Sequence, residues 1–146
     1  MNAINFFSKE EKTLIRSAVQ EAERNTSGEI RVHIDNRCRG DVKDCAAWWF
    51  KKLEMHRTEL RNGVLFYLAV KDHKFAILGD AGINAVVPDD FWDHIREKME
   101  TRFREDQFAA GLKEGILMAG EALGEHFPYQ SDDVNELSDD ISFGEK

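Results

Sequence analysis

Apolar residues recur at helical spacing at Leu14, Ile15, Ala18, Val19 and Ala22. Ser8-Lys9-Glu10-Glu11, just before them, has the reciprocal capping pattern that starts a helix. A first helix is therefore expected to run to about Arg24, where Asn25-Thr26-Ser27-Gly28 stops it. Residues 29–34 alternate strictly, with Ile30, Val32 and Ile34 on one side and Arg31 and His33 on the other, the pattern of a half-buried strand. After a turn at residues 36–40, Asp41 is placed to cap a second helix over residues 42–56. Its apolar stripe holds Val42, Cys45, Ala46, Trp49, Phe50 and Leu53. Trp49 is expected to be buried on that stripe, and Trp48, rotated about 100° from it, to be wetter.

Residues 64–70 form a nearly continuous apolar run that reads as a central strand. Lys71-Asp72-His73 is a tight polar connection to a third strand over residues 74–78, so these two strands are expected to form an antiparallel hairpin. Gly79-Asp80-Ala81-Gly82 breaks the strand, and Asp89 and Asp90 favour the start of a third helix carrying Phe91, Trp92, Ile95, Met99 and Phe103. Arg104-Glu105-Asp106 is the joint to a fourth helix, which presents Phe108, Leu112, Gly115, Ile116, Ala119 and Leu123 and ends near Phe127-Pro128. The order α-β-α-β-β-α-α places a helix between the first two strands, which implies a right-handed parallel crossover. The expected fold is a single-domain α/β/α sandwich, a small mixed sheet flanked by helices.

Composition narrows the function. At 146 residues the chain fits one domain, and 42% hydrophobic with 33% charged residues excludes low complexity and wholesale disorder. The net charge of −8 argues against nucleic acid as a partner, because phosphate binding wants a basic surface. The acidity is concentrated in residues 131–146, which hold six acids against one base. Residues 1–130 are therefore expected to form the domain and residues 131–146 a flexible acidic tail, mobile or docked only locally through Leu137 and Phe143. The N-terminus meets charge before a signal-like apolar stretch develops, and no apolar run reaches the ~20 residues of a membrane span. A soluble, cytoplasmic protein is expected.

Cys38 and Cys45 form neither a disulfide framework nor a CxxC, and buried thiols are the expected state. The five histidines lie one per element without the paired spacings of zinc sites. The strand directions bring Glu29, Arg61, Asn62 and Asp80 to one end of the sheet. Two carboxylates and a carboxamide there are hard oxygen ligands of the kind Ca²⁺ or Mg²⁺ selects, and Glu105-Asp106 could add more. The same residues have structural uses: Asn62 in a turn, Asp80 in an Asx-turn, Glu29 as a solvated strand start.

Ser27-Gly28-Glu29-Ile30-Arg31-Val32, Arg61-Asn62-Gly63-Val64-Leu65, Ile77-Leu78-Gly79-Asp80-Ala81-Gly82-Ile83, and Phe103-Arg104-Glu105-Asp106-Gln107-Phe108 with Gly111-Leu112 occur in that order. Together, over roughly residues 8–127, they resemble the TPM domain, whose members include thylakoid-lumen proteins tied to photosystem repair and many bacterial proteins. The resemblance implies an α/β/α sandwich, divalent-cation binding and, for some members, weak acid phosphatase or nucleotide phosphohydrolase activity. Ile83-Asn84 stands where relatives often carry Leu-Glu, so one acid is missing here. The expected metal ligands are Glu29, Asn62, Asp80 and Asp106, with Ca²⁺ or Mg²⁺ as the cofactor. Arg61 and Arg104 are the candidates for neutralising phosphate oxygens of a small-molecule substrate. The rival reading is a non-enzymatic, cation-stabilised interaction module that meets a protein partner through the acidic tail or the Trp48 surface.

Overall fold

The computed structural model describes residues 2–130 and 138–144. Its elements are α1 (Ala3–Phe6), α2 (Lys9–Glu23), β1 (Glu29–Asp35), α3 (Val42–Lys52), β2 (Gly63–Ala69), β3 (Lys74–Gly79), α4 (Ala81–Asn84), α5 (Asp93–Arg104), α6 (Phe108–Gly124) and β4 (Ser142–Phe143). The sheet order is β3-β2-β1-β4. β1 and β2 are parallel, Glu29 opposite Gly63 and Asp35 opposite Ala69, and β2 and β3 are antiparallel. The α/β fold and the mixed sheet agree with the sequence reading.

The pleat explains the layers. Ile30, Val32 and Ile34 of β1 share one face with Val64, Phe66 and Leu68 of β2, and α2, α5 and α6 cover that face in the larger core. Leu65, Tyr67 and Ala69 point the other way, where α3 contributes Ala46 and Phe50. The Ser8 capping box is formed: Glu11 N–H donates to Ser8 Oγ at 3.1 Å and Ser8 N–H to Glu11 Oε1 at 2.9 Å. At the far end of α6, Ser27 N–H and the Thr26 hydroxyl both donate to the Phe127 carbonyl, tying that helix to the start of β1.

Four details depart from the pattern reading. α3 stops at Lys52, not near His56, because Glu54 turns left-handed (φ 58°) and the amides of Glu54 and Met55 close back on Lys51 and Phe50. β1 is covered on both faces: His33 is fully buried, its ring stacked 3.8 Å from Trp49 and its Nδ1 2.7 Å from Ser142 Oγ. Trp48 is 58% exposed as expected, but Trp49 is only half-buried; Ala46 and Phe50 are the buried residues of α3. Trp49 Nε1 donates to Asp35 Oδ2 at 3.0 Å, so it serves a polar contact as well as packing.

Cys38 and Cys45 are joined in a disulfide rather than kept as buried thiols. The end of β1 and the first turn of α3 bring their Cα atoms to 6.1 Å, inside the range a disulfide spans. In the tail, Phe143 docks as part of β4, which adds Ser142 and Phe143 to the outer edge of β1. Leu137 lies outside the described residues. Gly144 N–H continues the contact to Ile34 O at 2.9 Å.

Candidate functional site

At the start of β2, the chain brings together four of the residues singled out by the strand directions. Glu29 N–H donates to Asn62 O at 3.2 Å, and Asp80 N–H to Gly63 O at 3.0 Å. Arg61 adopts a left-handed backbone (φ 51°), a conformation uncommon outside glycine. From there its guanidinium reaches Asp80 with Nε 2.7 Å from Oδ2 and Nη2 2.8 Å from Oδ1. Asp80 Oδ1 also accepts from Ala81 N–H at 2.7 Å and so caps α4. Asn62 is buried, with Nδ2 donating to Ser27 O at 3.3 Å and its backbone N–H to Thr58 Oγ1 at 3.2 Å. Glu29 is buried too, and so is not a solvated strand start. It lies near the Glu23 carboxyl, which accepts from Ile30 N–H at 2.9 Å. Desolvation first, and then a hydrogen bond with Asp139, push the Glu23 pKa up to about 9.

The surface concavity beside Arg61 and Asp80 is lined by Phe50, Lys51 and His56 as well.

Arg104 and Asp106 sit elsewhere. They line a cleft of about 370 Å³ with Ala69, Val70 and His73, at the hairpin end of β2. β2 has seven residues; at ~3.3 Å per residue the two ends are about 20 Å apart. Asp106 therefore does not join Glu29, Asn62 and Asp80.

The joint that holds Asp106 has a local cause. α5 ends in a Schellman motif: Asp106 turns left-handed (φ 60°), its N–H donating to Phe103 O at 3.1 Å, while Gln107 N–H donates to Arg102 O at 2.9 Å. Aspartate tolerates this backbone better than most residues. The turn leaves the Asp106 side chain exposed at the cleft while Phe103 and Phe108 pack beneath, their rings 5.4 Å apart. Leu68, Val70 and Phe75 complete an apolar floor. The rim holds His73, Lys74, Glu100 and Arg104; Arg104 Nη2 lies 3.4 Å from Glu100 Oε2. Lys74 is already engaged, donating to Cys38 O at 3.1 Å and Gly40 O at 2.9 Å. Glu100, His73 and Lys74 escaped the sequence reading. Glu100 had a usable signal, since positions 100, 103 and 104 share one helical face.

Among the described residues, no group of three or more His, Cys, Asp and Glu side chains is arranged to hold a metal ion. The cleft offers two carboxylates, Glu100 and Asp106. Two carboxylates are too few for a Ca²⁺ cage; an ion held by so few would complete its shell with water or phosphate, as Mg²⁺ commonly does. Among the described residues, no helix is long and apolar enough to cross a membrane.

Known proteins place the fold. The NMR structure of BA42 from the psychrophilic bacterium Bizionia argentinensis superposes with a TM-score of 0.90 at 48% identity, covering 95% of this chain and 96% of BA42. The N-terminal domain of a protein from P. gingivalis shares the fold at TM-score 0.68 and 19% identity, covering 85% and 82% of the two chains. The N-terminal domain of cg2496 from Corynebacterium glutamicum does so at 0.62 and 14%, covering 94% and 80%. No curated protein matches the sequence. The TPM domain profile matches residues 2–122, nearly the whole helical and sheet framework, and the chain belongs to the TPM domain family.

Proposed function

We propose that this TPM domain binds a divalent cation, Mg²⁺ in preference to Ca²⁺, at the hairpin-end cleft and acts there as a weak phosphohydrolase. The observation that carries the reading is Asp106: an exposed carboxylate on a fixed turn, beside Glu100 and Arg104, over an apolar floor. Asp106 and Glu100 would hold the ion, which when bound supplies a Lewis acid and an acidified water. Arg104 is placed to neutralise phosphate oxygens, and the floor of Phe75, Phe103 and Phe108 accepts the apolar part of an ester. Glu29, Asn62 and Asp80 are not used as ligands in this reading: Asp80 is held by two Arg61 nitrogens at 2.7 and 2.8 Å and by Ala81 N–H, whereas Arg104 and Glu100 share a single exposed contact at 3.4 Å. A cytoplasmic setting belongs to the same proposal.

Trp48 favours a second reading, that of a non-enzymatic module docking a protein partner. It is the large aromatic of α3 left in solvent, with Lys52 Nζ 5.6 Å from its ring. Assay of the full chain with a generic phosphomonoester and with ATP, in chelator and in Mg²⁺ or Ca²⁺, separates the two. Cation-dependent turnover that falls about tenfold or more in Asp106→Asn supports the enzyme. No turnover under any condition leaves the interaction module; turnover unchanged in Asp106→Asn and Glu100→Gln refutes the cleft as its seat.

A further inference from the structure

The Cys38–Cys45 disulfide closes a loop that does more than connect β1 to α3. Cys38 N–H donates to Asp72 Oδ2 at 2.7 Å, and Arg37 Nη1 to Asp72 Oδ1 at 2.7 Å. Lys74 Nζ returns the contact, donating to the Cys38 and Gly40 carbonyls. Asp72 and Lys74 flank His73, which is left-handed (φ 53°) at the tip of the β2–β3 hairpin, and His73 and Lys74 form part of the cleft wall. The disulfide loop thus holds the hairpin tip from both sides.

We infer that the Cys38–Cys45 pair is a reducible clasp whose state sets the rigidity of the hairpin tip and, through it, of the cleft wall. This goes beyond the cation reading and does not need it. The reductant is a dithiol, and the exposures decide where it attacks. Both cysteines line a concavity of about 250 Å³ beside Trp48 and Trp49, but Cys38 is only 2% exposed whereas Cys45 is half-buried, so Cys45 is the more accessible of the two. A thiolate of the dithiol bonds to Cys45 Sγ as the Sγ–Sγ bond breaks, and the electron pair leaves with Cys38, which takes a proton. The second thiol of the reductant then displaces Cys45, which is protonated in turn. One dithiol becomes a disulfide, and the protein gains two electrons and two protons. With the loop open, the Cys38 amide and Arg37 lose their fixed positions against Asp72. The Cys38 amide first, then Arg37, hold the Asp72 carboxyl below the usual carboxylate range, so Asp72 is charged and its partners are strong ones. A reducing cytoplasm would keep the clasp open, and an oxidising setting would close it.

The test is amide hydrogen exchange of the full chain by NMR, without added cation, before and after an excess of dithiol. Reduction is expected to speed exchange ~10-fold or more at Cys38, Val70 and Lys71 while Phe66 and Leu68 stay protected. Oxidised Asp72→Ala, which removes the acceptor of both the Cys38 amide and Arg37, should reproduce the loosening at Val70 and Lys71 with the disulfide intact. The Cys38→Ser, Cys45→Ser double variant should behave like the reduced protein and ignore the dithiol. Acceleration confined to residues 39–45, a dithiol response in the double variant, or a disulfide that dithiol cannot open in the folded protein would each overturn the inference.

Discussion

Arg61 grips both oxygens of Asp80, at 2.7 and 2.8 Å, and Asp80 in turn caps the short helix α4. An aspartate at the end of a strand and an arginine nineteen positions earlier meet because β2 and β3 pair from Val64–Gly79 outward. Asp80→Ala removes the cap and is expected to cost ~1–2 kcal/mol of stability. Asp80→Asn should cost less, since asparagine still accepts from the Ala81 amide. Urea unfolding of the three proteins checks the order, and a more stable Asp80→Asn would mean that repulsion, not capping, governs this site.

Gly82 is where α4 lies against the backbone of the preceding turn, its N–H donating to Arg61 O at 2.8 Å. A Cβ here would collide with the carbonyl oxygens of Leu60 and Arg61. Gly82→Ala is expected to cost ~1–3 kcal/mol, as overpacking does, and to disturb the Arg61–Asp80 pair. A neutral thermal shift would show that the turn can retreat.

The two neighbouring tryptophans of α3 should answer truncation differently. Trp49 loses its stack on His33 and its bond to Asp35, so Trp49→Ala should cost ~3 kcal/mol, whereas Trp48→Ala should stay within about 0.5. Equal costs would mean that the exposed indole of Trp48 packs more tightly than its position implies.

Glu23 predicts a pH dependence whose sign follows from its raised pKa. Between the ordinary carboxylate value of 4.5 and about 9, the folded protein keeps a proton that the unfolded chain has released. Its contribution to stability is therefore complete at low pH, declines as pH rises through that window and is gone above it. Glu23→Gln keeps an acceptor for the Ile30 amide but carries no proton to lose. It should flatten the decline between neutral pH and pH 9 in a series of melting curves. A variant as pH-sensitive as the parent would assign the slope to another group.

Elements with a strong periodic signal were legible. The Ser8–Glu11 box, the alternation around Ile30 and Val32 and the hairpin after Val70 all carry their instruction in adjacent residues. What was hidden depends on backbone choices made by residues that do not announce them. Glu54 and Asp106 terminate helices in the left-handed region without a glycine, so the end of α3 and the geometry of the α5–α6 turn left no mark in the pattern. β4 has two residues and gains its place from the His33–Ser142 contact across more than a hundred positions. The disulfide was hidden for a similar reason: a seven-residue separation says nothing until the strand end and helix start are set face to face. At the candidate site, the strand directions correctly gathered Glu29, Arg61, Asn62 and Asp80. They could not show that Arg61 would occupy Asp80, or that Asp106 would face the other end of β2.

A cation seat at Asp106, as proposed, and one at Asp80 make opposite demands on the two ends of β2. Amide NMR of the full chain, titrated with Mg²⁺ and then Ca²⁺ into the millimolar range, tests it residue by residue. With the seat at Asp106, saturable shifts are expected at Glu100, Arg104, Asp106 and Gln107 that vanish in Asp106→Asn, with Glu29, Asn62 and Asp80 unmoved. Shifts centred on Glu29, Asn62 and Asp80, or none anywhere with either ion, would contradict it.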